Sequence, residues 1–206
     1  MDLLVATRSR GKLSEIKAIL AEVPGLRVLD LEEAGVPHDP AEDALEPHDT
    51  FEENALSKAR YFRALSGLPT VADDSGLEVD ALGGAPGVRS KRFAPDTDAE
   101  GEELDEANCR YLLRCLEGTP QSGRSARYVC VAVLVDGEEG WSAFRGEAQG
   151  EILPSGRGSG GFGYDPLFFD PELGKTFAEI LREDKNRKSH RGKAFRALAQ
   201  HLAPGA

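Results

Sequence analysis

The sequence predicts an α/β fold built on a mixed β-sheet that helices flank. Short apolar runs alternate with helix-like segments over the first half of the chain, as in proteins whose strands are joined by helical crossovers. Two β-rich segments, 126–135 and 141–149, then follow one another directly, with the turn sequence Asp136-Gly137 between them. Such neighbours pair antiparallel, so we expect both strand orientations in the sheet.

The first elements are predicted from an apolar run and from helical spacing. Residues 3–6 are apolar and suit a strand buried on both faces, and a polar turn follows at 7–11. Apolar residues then recur at helical spacing until Pro24-Gly25 ends the pattern. Residues 26–31 predict a second strand, and the acidic stretch 32–49, which three prolines interrupt, predicts a loop.

A second helix is predicted after Thr50, because Thr50 and Glu53 form the capping box Thr-x-x-Glu. The apolar face of this helix is predicted to carry Phe51, Ala55, Ala59 and Phe62. We expect three charged residues to lie off that face: Glu52, Lys58 and Arg63. A third strand at 70–72 is expected to end at the acidic pair Asp73-Asp74.

Further helices are predicted at 100–116, 177–181 and 190–202. Residues 155–163 include five glycines and predict a loop that some other group approaches closely. No repeat and no interdomain linker interrupts the sequence, so we expect one domain over residues 1–206. Single domains usually span ~100–200 residues.

Composition and charge exclude several classes of function. Asp and Glu number 36 against 25 Lys and Arg, which gives a formal charge of −11. A general nucleic-acid binder or a protein of anionic membrane surfaces needs a basic face, so neither partner is expected. Cys109, Cys115 and Cys130 form no metal-binding spacing and are interpreted as small buried residues. The N-terminus lacks a secretory pattern, and we expect a cytoplasmic location.

The turn between the first strand and the first helix is a candidate phosphate site. It contains Thr7, Arg8, Ser9, Arg10, Gly11 and Lys12. A helix start presents backbone N–H groups and a positive dipole end to an anion, and these side chains add hydroxyl, guanidinium and ammonium donors. The turn is not a Walker A loop, because Ala6 and Leu13 replace residues that the motif requires. The alternative is a solvated basic turn.

The acidic pair after the third strand is a candidate metal site. Strand alternation places Asp73 and Asp74 on opposite faces, so we expect one of the two to point into a site. Carboxylates at a strand's carboxyl end suit Mg²⁺. A second carboxylate is available from the preceding acidic loop, which contains Glu42, Asp43 and Glu46. The alternatives are an aspartate that caps a turn and a solvated acidic loop.

Two later segments contain groups suited to a nucleotide. Gly160–Pro166 sets aromatic residues between glycines, and Phe162 in such a loop can stack on a base. Asp165 can accept a hydrogen bond from a ring N–H, whereas Phe162 and Tyr164 can equally be core residues. Nearer the C-terminus, a further group of cations and a histidine is formed by Lys185, His190 and Arg191.

These segments together resemble the inosine triphosphate pyrophosphatase family. The matching stretches are 7–12, Thr50-Phe51-Glu52-Glu53-Asn54-Ala55 with Lys58-Ala59, 72–77, 82–87, 160–166 and 189–192, in the family's order along the chain. Ser9 stands where the family has asparagine, and Pro47-His48 follow Glu46 where the family has Thr-Gly.

The resemblance implies a fold and an activity. It implies an elongated mixed sheet in two lobes with the active-site cleft between them, and a homodimer. It implies Mg²⁺-dependent hydrolysis of ITP, dITP and XTP to the nucleoside monophosphate and pyrophosphate. By position, Asp74 would be the proton acceptor and, with Glu46, a metal ligand.

The resemblance also implies which residues bind substrate. Residues 7–12 would hold the phosphates and Ser75 would contact the substrate. The nucleotide would be surrounded by Phe162, Gly163, Tyr164, Asp165, Lys185, His190 and Arg191, with Phe162 stacked on the base. Arg191 or His190 would donate to the 6-oxo group that hypoxanthine and xanthine carry. Two alternatives stay open: a pyrophosphatase for pyrimidine or other modified nucleotides, and a non-catalytic nucleotide-binding protein.

Overall fold

The computed structural model describes residues 1–95, 98–137 and 140–203, without the side chain of Arg182. It contains a seven-stranded sheet in the order β2-β1-β3-β4-β5-β6-β7. The strands are β1 (Asp2–Val5), β2 (Arg27–Leu29), β3 (Thr70–Val79), β4 (Ser125–Val135), β5 (Trp141–Ile152), β6 (Phe168–Asp170) and β7 (Lys175–Thr176). The α-helices are α1 (Arg10–Leu20), α2 (Phe51–Ser66), α3 (Gly101–Cys115), α4 (Arg182–Lys188) and α5 (His190–Leu202).

The sheet is mixed, as the sequence predicts. β1 lies parallel to both β2 and β3, whereas β5, β6 and β7 pair antiparallel in succession. The predicted neighbours β4 and β5 are hydrogen-bonded to each other. The turn between them begins at Asp136-Gly137, and its next two residues lie outside the described part of the chain. The predicted α/β class is therefore confirmed.

The chain divides into two compact units, each with its own apolar core. The first unit comprises residues 1–74, 130–146 and α5, and its core includes Leu3, Ile16, Leu134 and Phe195. The second unit comprises residues 75–129 and 147–189, and its core includes Leu77, Leu112, Phe168 and Phe177. Among the described residues, no helix combines the length and the apolar character that crossing a membrane requires.

Helix α2 begins where its capping box predicts. The Thr50 hydroxyl oxygen accepts from the Glu53 backbone N–H at 3.2 Å, and it also donates to the Glu53 carboxylate at 2.7 Å. The predicted apolar face is buried, but Lys58 lies on it too, contrary to the expectation. Its ammonium is tolerated there because it meets the Glu46 carboxylate and the Asp73 carbonyl.

Three further expectations from the sequence are corrected. β3 does not end at residue 72 but continues through Asp73 and Asp74 to Val79, because cations meet the buried carboxylate of Asp73. The segment 177–181 is not helical. Phe177 instead packs on Phe168 and donates its N–H to the Phe168 carbonyl at 3.0 Å, so sheet and core contacts override the short helical pattern. Cys115 is exposed, whereas Cys130 is buried.

Gly146 is expected to be intolerant of any side chain. A Cβ atom at this position would lie 2.1 Å from the His190 carbonyl oxygen and 2.6 Å from the Ala194 backbone nitrogen. Backbone atoms cannot swing aside, so Gly146→Ala must push α5 away from β5. We expect the free energy of unfolding to fall by about 1–3 kcal/mol, the usual range for overpacking, in urea titrations followed by circular dichroism. Gly137→Ala is the control, since its nearest neighbour is 3.7 Å away; equal stability of both variants would contradict this account.

Candidate functional site

The start of α1 combines a helix N-terminus with several polar side chains. Ser9 caps the helix by accepting from the Lys12 backbone N–H at 3.4 Å, and Thr7 accepts from the Ser9 N–H at 3.2 Å. The first turn contains no acidic residue, so no carboxylate of its own neutralises the positive end of the dipole. Arg10 is exposed and Gly11 half-buried at the first two helical positions. A helix start of this kind suits an anion, and the phosphate site at 7–12 stays a prediction.

Arg8 has a different role from the rest of this turn. Its guanidinium pairs with both oxygens of Glu42, at 3.0 and 2.7 Å, and it donates to the carbonyls of Val36 and Pro37. These contacts raise the pKa of Arg8 and lower that of Glu42. The predicted phosphate contact of Arg8 would therefore compete with the bonds by which Arg8 holds the acidic segment in place.

Asp73 is a buried carboxylate surrounded by cations. One of its oxygens lies 3.1 Å from the Lys12 Nζ and 3.5 Å from the Arg191 Nε, although only 2 % of the residue is exposed. Burial opposes its ionisation, but the charges of Lys12, Arg191 and Lys58 outweigh that effect and hold the pKa of Asp73 well below its ordinary value. Asp73 is therefore a permanent anion that ties α1 and α5 to β3.

Arg191 extends this network to a second acid. Its Nη1 donates to Glu15 Oε2 at 2.7 Å, and the residue is 2 % exposed. Burial opposes its charge, yet Asp73 and Glu15 raise the pKa of Arg191 above its ordinary value. The Arg191 guanidinium is thus buried between two carboxylates, and its expected contact with a base edge stays a prediction.

Asp74 points away from this network, as strand alternation predicts. Its Oδ2 accepts from the Asn54 amide of α2 at 3.0 Å. Burial is the main reason that the pKa of Asp74 lies above its ordinary value; the Lys58 charge opposes the rise and the nearby Glu46 carboxylate adds to it. A carboxylate with a raised pKa is a better proton acceptor than an ordinary aspartate.

Glu46 lies beside Asp74 at the end of the acidic segment. Lys58 pairs with Glu46 and also donates to the Asp73 carbonyl at 2.5 Å. Burial tends to lower the pKa of Lys58, but the charges of Glu46, Asp74 and Asp73 raise it above the ordinary value. One ammonium therefore holds the Glu46 carboxylate close to the backbone of β3 at Asp73.

Asp74 and Glu46 offer carboxylate oxygens, the donor type that a hard divalent cation prefers. Among the described residues, no group of three or more His, Cys, Asp or Glu side chains is arranged to hold a metal ion. Mg²⁺ commonly uses only one or two protein carboxylates and completes its coordination with water and substrate phosphates. The repulsion that Glu46 exerts on Asp74 is what such a cation would relieve.

The second unit places three of the predicted residues in one cluster. Lys185 pairs with Asp165 at 2.6 Å, and both side chains are almost completely buried. Its Nζ also lies 4.7 Å from the centre of the Phe162 ring, and the Phe162 N–H donates to Asp165 at 2.9 Å. Gly161 is required here, since its φ is +76° and a Cβ would lie 2.1 Å from an Asp165 oxygen. The cluster fixes the half-buried Phe162 ring.

The neighbouring residues of this loop have structural contacts. Tyr164 is buried in the core of the second unit, and its hydroxyl donates to the Ser90 carbonyl at 2.8 Å. The alternative interpretation, a core aromatic, therefore describes its side chain. Gly163 donates its N–H to Asp105 at 2.7 Å. Elsewhere, Ser75 follows Asp74 in β3, and His190 is buried at the start of α5.

Several residues of these clusters were not predicted as functional. Asn54 and Lys58 are four residues apart on α2, and with Phe51, Ala55, Ala59 and Phe62 they form one continuous face. The sequence does contain a signal for these two residues, because a polar residue that falls at helical spacing within an apolar face indicates a buried polar contact. Glu15 and Asp105 give no such signal, because their partners Arg191 and Gly163 are distant in the sequence.

Comparison with known proteins gives consistent matches. The model of the Ham1 family matches residues 3–201. A dITP/XTP pyrophosphatase of Geobacter sulfurreducens is 48 % identical over 200 residues, covering 97 % of this chain and 96 % of the relative. A dITP/XTP pyrophosphatase of Thermus thermophilus is 45 % identical over 205 residues, covering 100 % of this chain and 93 % of that relative. The structure of a HAM1 protein from Coxiella burnetii superposes with a TM-score of 0.84 at 36 % identity, covering 98 % of each chain.

The buried ion network is expected to dominate the stability of the first unit. Arg191→Met leaves Glu15 and Asp73 buried with fewer cations, and removing one partner of a buried pair typically costs ~3–5 kcal/mol. The double variant Glu15→Met/Arg191→Met removes one anion as well and should recover at least half of that loss. Urea unfolding of the three proteins measures both effects. A single variant as stable as the wild type would contradict the proposed role of the network.

Proposed function

The chain belongs to the Ham1 family, and we propose that it hydrolyses deaminated purine nucleoside triphosphates, namely dITP, XTP and ITP. The products are the nucleoside monophosphate and pyrophosphate. The observation that carries this proposal is the identity of 48 % over nearly the whole chain with a dITP/XTP pyrophosphatase. Within the first unit, we assign the metal ion and the proton transfer to Asp74 and Glu46, and the phosphates to the polar start of α1.

The triphosphate is assigned to the start of α1. A nucleoside triphosphate carries about four negative charges, which repel an attacking nucleophile until they are offset. The positive end of α1, which no acidic residue of the first turn neutralises, and the exposed side chain of Arg10 favour such an anion. Lys12 pairs with Asp73 but keeps 20 % of its side chain exposed, so it can contact a phosphate while it stays in the ion network.

Mg²⁺ is the proposed cofactor, with Glu46 and Asp74 as its protein ligands. When bound, it would neutralise phosphate charge and lower the pKa of a coordinated water. Lys58 holds the Glu46 carboxylate on the same helix face from which Asn54 contacts Asp74. The protein therefore keeps both oxygen donors in place without using a third carboxylate.

Asp74 is the proposed proton acceptor. Water attacks the anhydride between the first and second phosphates, its proton passes to the Asp74 carboxylate, and pyrophosphate leaves. Burial favours this transfer because it raises the pKa of Asp74. Asp73 cannot perform the same step, since Lys12 and Arg191 stabilise its ionised form.

The second unit supplies the groups suited to a base. Lys185 lies over the Phe162 ring, and this ring is the proposed stacking surface for the base. Lys185 is a further candidate donor for the 6-oxo group, beside Arg191 and His190, to which the resemblance assigns that contact. An ammonium attracts a 6-oxo acceptor and repels the 6-amino donor of adenine.

Other expectations from the sequence stay predictions. They are the homodimer, the cytoplasmic location and the absence of a nucleic-acid partner. The alternative substrates, pyrimidine and other modified nucleotides, are distinguished by the assay that follows.

Pyrophosphate release from a panel of triphosphates tests the function. We expect hydrolysis of dITP, XTP and ITP at low micromolar enzyme with Mg²⁺, and much slower hydrolysis of ATP, GTP and CTP. A site that recognises a polar group can reject the wrong base by ~10⁴-fold or more. EDTA should abolish release and excess Mg²⁺ should restore it. Binding of ITP without pyrophosphate release would instead identify a non-catalytic nucleotide-binding protein.

Asp74→Asn should reduce kcat by about 10²–10⁴-fold, the usual contribution of a positioned general base. The amide keeps the size of the side chain but accepts no proton at neutral pH. The exposed Asp80→Asn is the control and should leave kcat unchanged. Steady-state pyrophosphate release from ITP measures both variants, with circular dichroism as the check on folding. Turnover near the wild-type value would remove Asp74 from the mechanism.

A further inference from the structure

We propose that Asn54 is a positioning residue that joins the Asp74 carboxylate to the segment carrying Glu46. The inference rests on the proposed function, in which Asp74 and Glu46 act together. Asn54 belongs to α2, is 1 % exposed and contacts neither the turn at 7–12 nor the Phe162 cluster in any described hydrogen bond. Its role is therefore separate from substrate binding.

The side-chain amide of Asn54 makes three hydrogen bonds in two directions. Its Nδ2 donates to Asp74 Oδ2 at 3.0 Å and to the His48 carbonyl at 3.2 Å. Its Oδ1 accepts from the His48 backbone N–H at 2.9 Å. His48 is two residues after Glu46, so one planar group fixes the catalytic carboxylate and the backbone beside the second carboxylate.

Only an amide side chain can make this set of bonds. The group must donate twice and accept once within one plane, whereas a carboxylate at neutral pH only accepts and a hydroxyl donates once. An aspartate at position 54 would have the same shape but would lose both donors. A glutamine would keep the donors but is one methylene longer, which would push Asp74 or His48 out of place.

The position of Asn54 is itself well fixed. Phe51 and Ala55, its neighbours on the apolar face of α2, are buried, and Thr50 caps the helix one turn earlier. One turn later, Lys58 pairs with Glu46. The same helix face therefore holds Asp74 through a neutral amide and Glu46 through an ammonium, and the two contacts together set the separation of the carboxylates.

Kinetics of Asn54→Ala, Asn54→Asp and Asn54→Ser test this inference, with Glu52→Ala on the exposed face of α2 as the matched control. We expect each Asn54 variant to lower kcat for ITP by about 100-fold, because a misplacement of about 1 Å costs that much. KM should change by less than about threefold, since the phosphate and base contacts stay in place. The control should match the wild type in both constants.

A second readout does not depend on turnover. Mn²⁺ binding to each protein without nucleotide, followed by electron paramagnetic resonance, should weaken at least tenfold in Asn54→Ala and Asn54→Ser and be unchanged in Glu52→Ala. Removal of a residue that orients metal ligands typically costs ~10–100-fold in affinity. Crystal structures of Asn54→Ala and Asn54→Ser should show the Asp74 carboxylate in a new rotamer.

Other outcomes overturn the inference in distinguishable ways. If the Asn54 variants lose thermal stability but keep kcat and Mn²⁺ affinity, Asn54 only supports the loop. If Asn54→Ala does not fold, the other two variants decide: kcat and KM are measured for the isosteric Asn54→Asp, and kcat, KM and Mn²⁺ affinity for the smaller Asn54→Ser. If the wild type releases no pyrophosphate from any triphosphate, the proposed function fails; the position of Asp74 in the variant crystals then decides the role of Asn54, and an unmoved carboxylate contradicts it.

Discussion

The first unit depends on one buried carboxylate and the cations that compensate it. Asp73 lies in the middle of β3, where an uncompensated charge would be very unfavourable. Lys12 from α1 and Arg191 from α5 supply that compensation, and Glu15 balances the additional positive charge of Arg191. Segments from the start, the middle and the end of the chain are thereby held together by charge as well as by apolar packing.

Adjacent aspartates have opposite roles because a strand alternates its faces. Asp73 faces α1 and α5, where cations keep it ionised, and these ion pairs hold both helices against β3. Asp74 faces α2, where Asn54 orients it and burial raises its pKa. The two environments separate the pKa values of neighbouring carboxylates, which is a common way in which proteins assign different tasks to similar groups.

In the second unit, hydrogen bonds and an ion pair fix the aromatic ring of Phe162 on a glycine-rich loop. Asp165 accepts from the Phe162 N–H and from Lys185, and Asp105 accepts from the next N–H along the loop. Such bonds reduce the freedom of a loop whose backbone is otherwise very flexible. In the proposed function, this fixation would reduce the entropy lost when a base stacks on the ring.

Local patterns in the sequence determined the Thr50 cap, the helices α1 and α5 through their apolar periodicity, and the presence of both strand orientations in the sheet. The family resemblance singled out Asp74 and Lys12. Only the tertiary structure decided which charges meet. It extended β3 through the acidic pair, replaced the helix at 177–181 by core packing, and buried Arg191 between Glu15 and Asp73. Hydrophobic periodicity is a local property, whereas the partner of a buried charge is set by residues as much as 176 positions away.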